Sequence, residues 1–165
     1  MQSILSKHFF SKALFLSLAI SMINIANAAT TGSEIVSIQG AWVRPTNPGQ
    51  EVGAAYMTLT SSQNVTLVSV ESDVTKSVEI HNMSMQNGVM KMRMLDSLPL
   101  SAGKPYKLAP GGFHLMLFDL KKPLAIGDQV NFVLNFKTTK NKKPVEFKQQ
   151  IKATVQSSAD ENAKH

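Results

Sequence analysis

Apolar and polar residues follow one another in short alternating runs along most of this chain, and no stretch sustains a helical period. Runs rich in β-branched and apolar residues predict strands over residues 35–43, 53–60, 66–71, 77–83 and 89–95. Four more fall at 104–108, 114–119, 129–137 and 145–155. Turn formers separate them: Pro45-Thr46-Asn47-Pro48-Gly49, Ser61-Ser62-Gln63-Asn64, Gln86-Asn87-Gly88, Pro110-Gly111-Gly112 and Ala125-Ile126-Gly127-Asp128. Many short strands at this spacing imply an all-β domain, an antiparallel β-sandwich or barrel. Trp42, the only tryptophan, lies in the first run and reads as a core anchor.

The two ends break this pattern. Lys7 and Lys12 precede and flank an apolar run over 13–26, and Ala26-Asn27-Ala28 is a small-residue cleavage signature. The run is short for a membrane span and is interrupted by Ser17, Ser21 and Asn24. Residues 1–28 are therefore expected to be a cleaved signal peptide, with a retained anchor as the alternative. The expected domain is 29–155, exported and not integral to the membrane, and 156–165 is expected to be a flexible polar tail.

Composition narrows the chemistry. The chain has 165 residues and no cysteine, so a single domain must be stabilised by its core without disulfides. Any metal site must also do without thiolate, which excludes the Cys-x-x-Cys mode of copper carriage and the cysteine-dependent blue-copper centre. No cysteine follows the cleavage site to accept a lipid. The net charge of +6 becomes +4 once Lys7 and Lys12 leave with the leader, since 15 basic residues then face 11 acidic ones. No aromatic residues interleave with the lysines, so nucleic acid is not the expected partner. The charge suits solubility or steering toward an acidic surface.

The strongest local signal is Asn87-Gly88 between two alternating runs, the signature of a two-residue hairpin turn. With those residues as the turn, Met85 faces Met90, Met83 faces Met92 and His81 faces Met94. All six side chains then project from one face, with Lys91 and Arg93 on the other. His81 and Met92 become diagonal neighbours, roughly 7–8 Å apart at the backbone. His114 and Met116, two apart on a later run, also share a face. After His8 in the leader and His165 at the terminus are set aside, His81 and His114 are the only histidines left, and each has a methionine two residues on.

Two imidazoles and two thioethers, His81, Met92, His114 and Met116, form a soft neutral donor set of the kind that selects Cu(I). Methionine is also a common core filler, and Met83, Met85, Met90 and Met94 read equally well as packing or rim residues. Catalytic motifs are missing. There is no Gly-x-Ser-x-Gly elbow, phosphate-cradling loop or His-Glu-x-x-His, and Ser101-Ala102-Gly103-Lys104 lacks the companions of a Ser-x-x-Lys enzyme. The carboxylate that stands out nearest the site is Asp119. No enzyme is expected. A metal-free exported binding module with a methionine-rich packing face and a copper redox enzyme remain the alternatives.

The spacing His81-x10-Met92-x21-His114-x-Met116 resembles the signature of the periplasmic PCu(A)C copper chaperones. The likeness extends to Ala41-Trp42-Val43-Arg44-Pro45, Gly53-Ala54-Ala55-Tyr56-Met57, Val78-Glu79-Ile80-His81-Asn82-Met83 and Pro110-Gly111-Gly112-Phe113-His114. The resemblance implies a cupredoxin-like β-sandwich, monomeric and periplasmic, with Cu(I) held by His81, Met92, His114 and Met116 and with Met83 nearby. It further implies delivery to the binuclear copper centre of cytochrome c oxidase subunit II, alongside a thioredoxin-like copper chaperone. Asn82 stands where an acidic residue is common in that family. The tail lacks the Met- and His-rich extension of some members, which argues against an additional Cu(II) site. Because imidazoles must be neutral to bind metal, affinity is expected to weaken below roughly pH 6.5.

Overall fold

A computed structural model describes residues 34–158. The expected leader and its cleavage site lie outside the described residues, as does the tail beyond Ser158. Ten strands follow in order: β1 (Val36–Val43), β2 (Gly53–Ser61), β3 (Val65–Ser72), β4 (Ser77–Gln86), β5 (Val89–Leu95), β6 (Leu98–Leu100), β7 (Pro105–Leu108), β8 (Phe113–Phe118), β9 (Gln129–Lys140) and β10 (Lys143–Val155). Nine of these answer to the predicted runs. The unpredicted one, β6, is three residues long with a proline at its centre, too short to show any period. Among the described residues no helix is long and apolar enough to cross a membrane.

The strands form one sheet in the order β5-β4-β8-β7-β2-β1-β10-β9-β3-β6. It curls until β3 meets β4 at Val70 opposite Val78, which closes eight strands into a barrel and leaves β5 and β6 hanging from its seam. Most pairings are antiparallel as expected, but β1 runs parallel to β10 and β7 meets β8 in parallel. Both exceptions join strands distant in sequence or linked by a turn, where local patterning carries no directional signal.

One side of the sheet makes the core. Leu59, Leu115, Leu117, Phe132, Leu134 and Phe136 are fully buried there, joined by Ile80. At full burial each such side chain contributes about 1.5–3 kcal/mol relative to exposure. Phe136 also stacks on Phe147 across β9 and β10, centroids 5.1 Å apart.

Trp42 is buried but stands apart from this cluster. Its register partner is Tyr56, whose ring centroid lies 4.4 Å away, and Arg44 sits over that tyrosine at 5.5 Å. The cause is a bulge. The β1–β2 register shifts between Gln39 and Trp42, around Gly40 with its φ of 57°. An extra residue reverses the alternation of a strand, so Val36 and Val43 both face the core while Trp42 is turned to the opposite side. The expected core anchor is thus an anchor on the other face, the one that carries the two histidines.

Candidate metal centre

The Asn87-Gly88 turn has φ of 51° and 76° at its two residues, the double left-handed conformation of a type I′ hairpin. It sets the β4–β5 register as the sequence implied: Met85 opposite Met90, Met83 opposite Met92, and His81 opposite Met94. On its other edge β4 pairs with β8, placing His81 directly opposite His114 and Glu79 opposite Met116. Cross-strand partners project from the same face. His81, Met92, His114 and Met116 therefore share one face, while their alternating neighbours Ile80, Leu115 and Leu117 enter the core.

The two histidines are brought together. Their ring centroids are 5.9 Å apart, and both side chains are nearly covered, at 8% and 5% exposure. The Phe118 ring flanks His81 at 6.2 Å. The methionines lie on either side of this pair. Met92 is one row nearer the hairpin tip, diagonal to His81, and is 52% exposed. Met116 is one row further from the tip, half-buried, at the rim of a small cleft of about 190 Å³ between Arg44, Gln50 and Ala54. The donors thus form a histidine centre with one thioether on each flank. Met94, outside the motif, is the residue directly opposite His81.

Hydrogen bonds decide which ring nitrogens are available. His114 Nδ1 lies 2.9 Å from the Gly112 carbonyl oxygen. A carbonyl only accepts, so Nδ1 carries the proton and Nε2 keeps a free lone pair. His81 Nε2 lies 2.8 Å from Glu79 Oε2 and donates to that carboxylate. Its Nδ1 is buried and has no hydrogen-bond partner. A buried polar atom without a partner costs about 1–3 kcal/mol, and an open lone pair in a ring 5.9 Å from a second imidazole suits a bound cation. No group of three or more His, Cys, Asp or Glu residues that could hold a metal ion clusters among the described residues.

Glu79 is the residue that sequence reasoning missed. Asp119, the carboxylate singled out there, follows the end of β8 and is exposed, whereas Glu79 is half-buried against the histidine. The available signal was alternation: Glu79 is two residues before His81 on a predicted strand and so shares its face. The histidine pair therefore has a carboxylate immediately behind it, which holds the His81 ring in place.

A family model described as "Putative lipoprotein LpqE-like" matches residues 36–155. "Putative lipoprotein Lxx21020" of Leifsonia xyli subsp. xyli (strain CTCB07) is 32% identical over 114 residues, covering 67% of this chain and 69% of that protein. This chain contains no cysteine to carry a lipid. The solution structure of Cu(I)-bound DR1885 from Deinococcus radiodurans is similar at a TM-score of 0.57 and 29% identity, over 79% of this chain and 86% of that one. A copper-bound PCuAC domain from PmoF2 matches at 0.56 and 23% identity, over 74% and 93% respectively, a likeness of fold. The chain belongs to the LpqE-like family, and its all-β barrel is the cupredoxin-like fold of the PCuAC copper-chaperone domains.

Proposed function

We propose that this protein is a Cu(I) carrier whose cargo sits between His81 and His114. The observation that carries the reading is the buried, unpartnered Nδ1 of His81 beside His114, whose own Nε2 is left free by the Gly112 contact. Met92 and Met116 would supply sulfur from the two flanks. Neutral nitrogen and thioether donors favour Cu(I) over harder ions. The likeness to a Cu(I)-bound relative at 29% identity supports the same cargo.

Such a site works by exchange. Thioethers hold Cu(I) less tightly than thiolates, so an acceptor presenting cysteine sulfur draws the ion away through a shared intermediate. The exposed Met92 is the donor an acceptor would displace first, because it needs no opening of the barrel. The acceptor proposed is the binuclear copper centre of cytochrome c oxidase subunit II, reached directly or through a thioredoxin-like chaperone. The setting proposed is the periplasm, with the protein exported by its leader and acting as a monomer. The protein is a carrier and no catalyst.

The test is a Cu(I) titration against a competing chelator with wild type and His114→Ala. Tight uptake by wild type and its loss in the variant, with folding retained, is the expected result. Equal tight uptake by both would remove the histidine centre as the site, and no tight uptake by either would favour a metal-free binding module. Oxygen or reductant turnover by the loaded protein would favour a redox enzyme.

A further inference from the structure

The β4–β5 hairpin carries more sulfur than one four-donor centre uses. Met85 and Met90 face each other one row short of the turn, and Met83 lies one row behind on the same face. Packing does not explain them. Met85 is 63% exposed and Met90 44%, and β5 is hydrogen-bonded into the sheet through β4 alone. Leaving such apolar side chains in water forgoes the gain of burying them, and methionine is not among the residues that strands favour. The thioethers are also segregated: Asn82, Ser84, Lys91 and Arg93 hold the alternating positions on the opposite face.

Distance separates Met85 and Met90 from the histidines, with Met83 between the two groups. Met85 is four residues from His81 along β4, about 13 Å at roughly 3.3 Å per residue, so it cannot share an ion held between the rings. Its nearest partners are Met90 across the strand and Met83 on its own strand. Three neutral sulfurs offer no charge to a divalent ion and no oxygen to a hard one, whereas they suit a soft monovalent cation.

The geometry points to a second, outer metal site at the hairpin tip, formed by Met83, Met85 and Met90 and taking Cu(I) or Ag(I). The choice of metal rests on the proposed reading of this face as a copper-carrying surface. The site is open to solvent, lies beyond Met92 on the way in, and holds its ion more weakly than the histidine centre because imidazole and burial are absent.

The test is stoichiometric. Wild type, Met85→Leu/Met90→Leu and His81→Ala/His114→Ala are titrated with Ag(I) and with Cu(I), following methionine methyl resonances in methyl-labelled protein. Wild type is expected to take up two equivalents, the weaker one shifting the Met85 and Met90 methyls. The Met85/Met90 variant should lose only that weaker equivalent, and the histidine variant should keep it. A wild type that binds one equivalent, with the Met85 and Met90 methyls unmoved, would overturn the outer site. If the only equivalent is the one that Met85→Leu/Met90→Leu removes, the outer site stands and the histidine centre fails.

Discussion

Glu79 Oε2 sits 2.8 Å from His81 Nε2, and that contact determines which face of the imidazole is left for a metal. With Nε2–H committed to the carboxylate, the buried and unpartnered Nδ1 is the ring nitrogen left for a metal, in a ring whose centroid lies 5.9 Å from that of His114. Carboxylates behind metal-bound histidines fix the tautomer and raise ligand basicity, and losing one costs about 10–100-fold in metal affinity. Glu79→Gln is therefore expected to weaken Cu(I) binding by about that factor in a chelator competition, while urea unfolding of the apoprotein changes little. Unaltered affinity in the variant would show that Glu79 is a bystander.

Met92, Met94 and Met116 separate motif from mere proximity. Met94 is directly opposite His81, yet Met92 and Met116 are the residues at motif spacing. Methionine-to-leucine exchange nearly conserves volume and costs less than about 1.5 kcal/mol even at half-buried Met116. Removing the sulfur from Met92 or Met116 should lower Cu(I) affinity on the order of tenfold or more, at least as much as losing a supporting residue. Met94→Leu should leave affinity near wild type. If Met94→Leu is the damaging change and Met92→Leu is silent, the flanking thioether is the directly opposed one, and the motif spacing has been misassigned.

The hairpin turn offers a mechanical test. Gly88 has a φ of 76°, and a Cβ added there would meet nothing within 4 Å, so an alanine suffers backbone strain without a clash. Left-handed backbone at a residue with a Cβ costs roughly 1–2 kcal/mol. Since β5 pairs only with β4, Gly88→Ala should act locally. Amide exchange over residues 89–95 is expected to accelerate more than the global unfolding midpoint falls, and Cu(I) affinity should drop as Met92 loses its fixed register. Uniform acceleration across all strands would mean that the hairpin is no independent unit.

How far the letters foretold the molecule depends on how local each signal was. The Asn87-Gly88 register could be read because a two-residue turn fixes every opposed pair, and the His81–Met94 pairing followed from it. The companion turn between β9 and β10 was missed because Lys142 takes a φ of 62° after Asn141, where glycine would have announced it. Trp42 is buried as an anchor should be, but which face it anchors could not be read, because one bulge near Gly40 reverses the alternation and leaves no trace in the spacing of apolar residues. His81 meeting His114 is a pairing between strands that are separate in sequence. The residues alone grouped the two His–Met pairs into one donor set, but the register that sets His81 opposite His114 could not be read from them. Glu79 was readable from its place two residues before His81 but carries no weight in a search for soft ligands.

Part of the fold's acid sensitivity should come from Asp73. Burial opposes ionisation of its carboxyl, but this is outweighed by hydrogen bonds from the Asn131 side chain at 2.5 Å and the Asn131 backbone N–H at 3.1 Å. Its own backbone N–H and the charge of Lys121 add to these, so the carboxyl is held below its ordinary 3.8. The unfolded chain then takes up the proton first as pH falls. The contribution to stability is present in full above that ordinary value and is lost as pH drops through the lower folded one. Asp73 is exposed, so screening limits the effect to no more than about 1 kcal/mol. Asp73→Asn should lower the urea midpoint at neutral pH, and the gap from wild type should shrink in acid, below the ordinary carboxylate range, as the native carboxyl protonates. Asn131→Ala should show the same narrowing, since it removes the side-chain donor from the other strand. A gap that stays constant from neutral to acid pH would mean that the Asp73–Asn131 contact acts through shape alone, with no part played by the charge.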